Sequence, residues 1–383
     1  MSSRDYLLLW IGDTCAAGAV LGCLYLITAS ILVLRFRRNR QPRLGTAAPV
    51  TILKPLRGAE PRLFGRLSSF CLQDYDGPVE LVFGTQDAAD PGIEVIKRLK
   101  AAFPEKPIAL TVDAREHGAN RKVSNLVNMT TLAHHDILIV ADSDIQVRPH
   151  YLSEVVGELQ RPGVGAVTCL YHGIAGAGMW SRISALAINT HFLPQVVMAL
   201  TFGLAQPCFG ATIALRRQLL ASLGGFRAFA DFLADDYAIG EAVRASGHEV
   251  VIPPRSVGHV CFETDLKSLV DRQIRFARTI KSVDPVGYAG SIITHPFGLA
   301  LLGALFGNSS CLVLVALAFV ARIALCLSIE RTFGLAWQRY WLIPIQDLIS
   351  FWVYVASFMG ATVTWRDQRY RVSADGSLIQ VKE

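Results

Sequence analysis

The chain has 383 residues, room for two or three ordinary domains, yet 52% of them are hydrophobic and only 18% charged, which is too apolar for a typical soluble enzyme. The apolar excess sits near both ends and predicts membrane segments flanking a water-facing centre. The net charge of +6 comes largely from arginines beside those segments rather than from a basic stripe interleaved with aromatics, so no nucleic-acid partner is expected.

Residues 14–34 carry no charge and are long enough to cross a bilayer as a helix. No basic stretch precedes them and the run exceeds a signal-peptide core, so a retained anchor is expected. Arg35, Arg37, Arg38, Arg40 and Arg43 follow at once, and the positive-inside rule then puts the central region in the cytoplasm. This divides the chain into an N-terminal anchor with its basic flank (1–43), a central domain (44–286) and a C-terminal membrane region (287–383). Eight cysteines are scattered without a Cys-x-x-Cys pair or finger-like spacing with histidine, which argues against a disulfide framework or a zinc site.

In the central region, strands are predicted at 49–53, 79–84, 108–112 and 137–141, with helical spacing of apolar residues at 60–72, 93–103 and from the 118–122 loop through Leu132. This β-α-β-α-β-α-β order predicts an α/β fold with a mostly parallel, Rossmann-like sheet. A helix over about 149–159, a strand at 165–170 and a helix over 179–191 follow. The uncharged run 192–215 is read as an interfacial helix to about residue 203 and then a buried strand ending at Arg216-Arg217, because a full span there would put Asp142 and Asp236 on opposite sides of the bilayer. Beyond residue 286, spans are predicted at 291–306, 310–329 and 341–363. Arg322 and Asp347 then lie within the membrane, where they should pair or line a lipid path. Three full spans would put Arg366, Arg369 and Arg371 outside, against the positive-inside rule, so one of the three is expected to be re-entrant or interfacial.

The run Ile137–Ala141 ends in Asp142-Ser143-Asp144. In open α/β sheets ligands bind outside the carboxyl ends of the strands. Two hard oxygen ligands there suit Mg²⁺ or Mn²⁺ completed by a diphosphate, although the tripeptide alone favours a turn. Asp87, the pair Asp235 and Asp236, and Arg272-Gln273-Ile274-Arg275-Phe276 each have a plain structural explanation singly: a turn, a helix cap, a solvated pair.

As an ordered set they are more specific. Ile52-Leu-Lys-Pro-Leu-Arg-Gly58, Gln86-Asp87 with Asp90-Pro91, Gly118-x-Asn120-x-Lys122-x-x-Asn125-Leu126, Asp142-Ser-Asp144, His172-Gly173, Leu233-Ala-Asp-Asp236-Tyr237 and Arg272-x-x-Arg275-Phe276 resemble the family-2-like and family-21 inverting GT-A glycosyltransferases, over roughly residues 48 to 285. Within them the chain looks most like the ceramide glucosyltransferase group, and closest to hopanoid-biosynthesis enzymes. The resemblance implies a membrane-bound enzyme that moves one sugar, glucose or N-acetylglucosamine, from a UDP-sugar to the hydroxyl of a membrane lipid, ceramide or a hopanoid polyol, at a bacterial inner membrane.

It also implies roles. Asp87, Asn120, Lys122 and His172 would serve donor binding, with Asp87 and Lys122 at the uridine end, and Asp142 and Asp144 would hold the divalent ion, Asp142 being the more sensitive of the two. Asp236 would be the general base, with Asp235 its substitute, and Arg272, Gln273, Arg275 and Phe276 would sit near diphosphate and acceptor. His191 is a further candidate for the acceptor pocket. The family usually has Trp after the arginine; Phe276 keeps the aromatic face and loses the indole N–H. Two other readings remain: a processive polysaccharide synthase, which shares these motifs but needs more membrane helices, and a non-catalytic scaffold, against which stands the complete set of acids.

Overall fold

The computed structural model describes residues 3–36, 47–336, 338–360, 362–365, 368–372 and 378–380. Arg37, Arg38, Arg40, Arg43 and Arg366, which carry much of the orientation argument, lie outside these residues. The chain forms two compact units: residues 40–176, 206–262 and 376–383 make one, and 1–39, 177–205 and 263–375 the other.

The first unit is built on a seven-stranded sheet. Its strands are β1 (Val50–Pro55), β2 (Val79–Thr85), β3 (Ile108–Val112), β4 (Ile137–Val140), β6 (Val164–Thr168), β8 (Ile213–Arg216) and β9 (Glu249–Val251), in the order β3-β2-β1-β4-β8-β6-β9. β1 to β4 are mutually parallel, as the alternation of strand and helix predicts, whereas β8 runs antiparallel to both β4 and β6. Strand order reverses at β1, between β2 and β4, and the crevice outside the carboxyl ends at such a switch point is where this sheet type binds ligands. Every residue of β4 is buried, as a continuous apolar run implies. β1 runs two residues beyond the predicted end at Leu53, through Lys54 and Pro55, because Lys54 turns inward and finds a partner there. A second sheet, absent from the sequence reading, joins β5 (Ile145–Gln146), β10 (Val257–Cys261) and β7 (Tyr171–Ala175) in that order.

The second unit is mainly helical, with one antiparallel strand pair, Thr362–Trp365 and Gln368–Val372. Among the described residues three helices are long and apolar enough to cross a membrane, Tyr6–Phe36, Gly178–Thr201 and Cys311–Phe333, and a bent pair, Pro285–Thr294 with Pro296–Leu305, turns through 69°. Leu21, Leu24, Ile27 and Ile31 of the first helix are exposed, the pattern expected of a lipid-facing surface. The chain is a membrane protein. One expectation is corrected. The stretch 192–203 is not a separate interfacial helix but the end of Gly178–Thr201, continuous through a π-helical turn at Ile188–Phe192. The apolar segment 341–363 holds a helix of 15 residues, Ile343–Ser357, about 22 Å long and shorter than a bilayer core.

Arg322 and Asp347 pair, as intramembrane charges must. The Arg322 Nε lies 3.2 Å from Asp347 Oδ2, its other nitrogens donate to the carbonyls of Thr190 (2.9 Å) and Thr294 (2.8 Å), and Asp347 Oδ1 is 2.9 Å from His191 Nε2. His191 is therefore buried in a packed polar network and does not line an open acceptor pocket. Asp347→Leu strands the fully buried guanidinium, and is expected to cost about 3–5 kcal/mol, read as a fall in melting temperature in detergent. Arg322→Met added to it should restore much of the loss.

Candidate active site

Lys122, Asp142, Asp235 and Asp236 converge in the sheet unit. The chain leaves β4 through Ala141 and Asp142. Because β8 runs antiparallel to β4, with Ile213 opposite Val140, the start of β8 returns Gly210 to the same end. Helix Asp235–Ala245 brings Asp236 there in its first turn, where the helix dipole favours an anion.

Both oxygens of Asp236 accept backbone N–H groups, Oδ2 from Gly210 at 2.7 Å and Oδ1 from Tyr237 at 2.9 Å. Gly210 is the hub. A Cβ at this position would stand 3.0 Å from Lys122 Nζ, 3.3 Å from Asp142 Oδ2 and 3.4 Å from Asp236 Oδ2, so the three charged groups face one another across a bare Cα. Lys122 Nζ is 2.9 Å from Asp142 Oδ1 and 3.5 Å from Asp235 Oδ2.

Desolvation, reinforced by the charge of Asp235, lifts the Asp236 carboxyl to about 6 against the pull of Lys122 and the two N–H donors. Asp142 is raised too, by desolvation and by Asp144, with Lys122 opposing. Burial works against the charge on Lys122, but Asp142, Asp235 and Asp236 outweigh it and hold the ammonium above its ordinary value. The cluster thus contains an acid poised near neutrality beside a permanent cation, an arrangement that can take up a proton and receive an anionic leaving group.

Asp144 lies beside Asp142, with Oδ2 3.4 Å from His259 Nδ1. The side chains of Asp142 and Asp144 are part-exposed, at 35% and 26%. Hard, adjacent carboxylates on a part-exposed loop fit Mg²⁺ or Mn²⁺, which are commonly bound through one or two carboxylates with phosphate and water completing the shell. Among the described residues no group of three or more His, Cys, Asp or Glu side chains is gathered to hold a metal, so this pair is what the protein itself offers.

Other residues singled out in the sequence take different places. Asn120 is fully buried and cannot touch a ligand directly. Its Oδ1 caps helix Arg121–Met129 by accepting from Lys122 and Val123 N–H, and its Nδ2 donates to Phe232 O and Asp235 Oδ1. Gly118 lets this loop approach, since a Cβ there would stand 2.6 Å from Ala230 O. Asp235 is buried and held by Asn120 and Lys122, and so supports the cluster from inside. Lys122 stands among the acids rather than beside Asp87. Asp87 is exposed at the end of β2, its Oδ1 accepting from Ala89 N–H, while Asp90 beneath it ties Gly58 to the β2 loop. His172 is a buried imidazole bonded to Ser256, driven to about 4 by burial and by Arg148 and His259, so it does not present a charge.

Arg272, Gln273, Arg275 and Phe276 belong to the helical unit, on helix Leu266–Val283. Arg272 is bound by the buried Glu263, and both arginines lie about one ring-width from Phe276, at 5.6 and 5.5 Å from its centroid. Phe276 itself is 43% exposed, so its aromatic face is available. Lys54, Arg66, Gly210 and His259 acquire roles that the sequence reading missed.

The model of the family described as Glycosyl transferase family 21 matches residues 14–378. The chain belongs to this family. Ceramide glucosyltransferase 1 of Caenorhabditis elegans is 20% identical over 398 aligned residues, spanning 95% of this chain and 80% of the relative. Ceramide glucosyltransferase of Gibberella zeae is 30% identical over 177 residues, 41% of this chain and 34% of that protein. Among solved structures, the mannosyltransferase PcManGT from Pyrobaculum calidifontis, in complex with GDP-Man and Mn²⁺, superposes with a TM-score of 0.51 at 20% identity, covering 92% of this chain and 99% of that one. The fold is GT-A, and the chain is a glycosyltransferase.

Proposed function

We propose that the enzyme transfers one sugar, glucose or N-acetylglucosamine, from a UDP-sugar to the hydroxyl of a membrane lipid, with inversion at the anomeric carbon. The observation that carries this is the Asp236 carboxylate, raised to about 6 and clamped by two N–H donors across Gly210 from Asp142 and Lys122. In this reading Asp236 takes the proton from the acceptor hydroxyl as its oxygen attacks the sugar carbon from the face opposite the diphosphate. Asp142 and Asp144 would hold Mg²⁺ or Mn²⁺, which when bound neutralises charge on the departing diphosphate. Lys122 adds a fixed positive charge on the same side, and the exposed Asp87 serves the nucleoside end.

The lipid acceptor is supported by the long apolar helices and by the relatives' names, ceramide being one candidate and a hopanoid polyol the other. The catalytic residues, between 44 and 286, would face the cytoplasm. Purified protein given UDP-glucose or UDP-N-acetylglucosamine with ceramide or a hopanoid polyol should yield a single-sugar lipid on a thin-layer plate. A polymeric product would instead favour a processive synthase, and no product with any pair would favour a non-catalytic scaffold. Asp142→Ala should weaken Mn²⁺-dependent UDP binding, measured by titration calorimetry, by roughly 10-fold or more, with a smaller loss in Asp144→Ala.

A further inference from the structure

Two buried basic side chains lie under the Asp142–Asp144 loop, and the chemistry just described does not use them. Lys54 sits inside β1 with no exposed surface. Its Nζ donates to the Asp142 carbonyl at 2.9 Å and lies 3.7 Å over the centre of the Phe70 ring. Arg66, 2% exposed, reaches up from helix Leu63–Cys71 and donates from Nε to the Ser143 carbonyl at 3.1 Å. The rest of its fork is held by Pro61 O at 2.6 Å and Glu60 Oε2 at 2.8 Å, and its guanidinium lies 4.4 Å from the centre of the Phe262 ring. The next carbonyl, of Asp144, accepts from Val260 N–H at 2.9 Å. Three successive carbonyls are therefore bound from within the protein, two of them by basic side chains.

Burying two long basic side chains to satisfy backbone carbonyls is costly. What they add is specific to this loop: their donors reach the Asp142 and Ser143 carbonyls from the protein side and leave the other side of the loop free. They fix the peptide planes, and with them the directions in which the two side chains leave the backbone.

We infer that Lys54 and Arg66 are positioning residues for donor binding, a clamp that holds the Asp142-Ser143 backbone so that both carboxylates face the diphosphate and its metal ion. This rests on the reading of Asp142 and Asp144 as the metal side of the donor site. Once the loop is set, the clamp has no part in proton transfer, so its removal should raise the donor KM and leave the turnover number nearly intact.

The test uses the full-length protein purified from membranes. Lys54→Met keeps an unbranched stem over Phe70 and removes the donor. It should weaken Mn²⁺-dependent UDP binding and raise the donor KM by roughly 10–100-fold, the range expected when partners behind metal ligands are lost. The turnover number at saturating donor and Mn²⁺ should stay within about threefold and the lipid KM should not change. Arg66→Lys, which keeps a charge but loses the fork, should show the same split in weaker form and serves if Lys54→Met fails to fold. A fall in melting temperature with unchanged donor KM and unchanged Mn²⁺ requirement would overturn the clamp and leave both residues merely structural. Asp142→Ala in the same binding assay separates the two failures. If it leaves metal-dependent UDP binding intact, the donor-site reading is wrong; if it abolishes binding while both clamp variants bind normally, only the clamp is wrong.

Discussion

Asp236→Asn is expected to lower the turnover number by about 10²–10⁴-fold, the usual contribution of a positioned general base, while UDP binding stays within a few-fold of the unmodified enzyme. The amide keeps the size of the side chain but cannot accept a proton, and it retains only one of the two acceptor oxygens that Gly210 and Tyr237 now hold. Steady-state kinetics and UDP titration on the same preparation check the two halves separately. A variant that turns over at the normal rate would remove Asp236 from the mechanism.

The same carboxyl sets a pH signature. With Asp236 at about 6, activity should rise with pH through that value, since only the carboxylate accepts the proton, and fall about tenfold per unit below it. Stability moves the other way. The folded state holds this proton up to about 6, whereas an unfolded aspartate releases it near 3.9. Between those values the native state binds more protons, so this residue's contribution to stability falls as pH rises through the window. Melting curves across pH 4 to 6 should show this component in the native enzyme and lack it in Asp236→Asn.

Much of this site was legible because the chemistry of strand ends is local. An apolar run such as Ile137–Val140 must be buried, so acids directly after it must meet whatever lies outside the sheet. The ordered spacing of Asp87, Asp142 and Asp236 then carried the family resemblance. Intramembrane pairing of Arg322 with Asp347 was legible for a similar reason: two charges in an apolar region have few other fates. What stayed hidden depended on a third partner. Asn120 and Asp235 sit in the motifs as plausibly as Lys122 does, and only their mutual hydrogen bond shows that they hold the loop from inside.

Lys54 misled the strand boundary, because a lysine before proline reads as an exit from a sheet, yet its ammonium is anchored by a carbonyl 88 residues away. His259 gave no signal, since the second sheet that places it beside Asp144 is made of short strands distant in sequence. In the last predicted segment the apolar run 341–363 is long, but the helix inside it has only 15 residues, a length that hydropathy alone does not reveal.

Gly210→Ala should be the most damaging change of a residue with no functional group of its own. Its added methyl would stand 3.0 Å from Lys122 Nζ, 3.3 Å from Asp142 Oδ2 and 3.4 Å from Asp236 Oδ2, distances at or inside the tight end of van der Waals contact. None of the three can yield freely. Lys122 is held by Asp142 and Asp235, and Asp236 by two backbone N–H groups, one of them from Gly210 itself. The φ of Gly210 is not in the left-handed region, so alanine meets no backbone penalty there and the fold should survive. The cost falls on the reaction: a displacement of catalytic groups on the order of 1 Å can lower rates about 100-fold. We therefore expect kcat/KM to drop by roughly that factor with a melting temperature close to that of the unmodified enzyme. Normal kinetics in Gly210→Ala would mean that the space bounded by Lys122, Asp142 and Asp236 is not where the sugar is transferred.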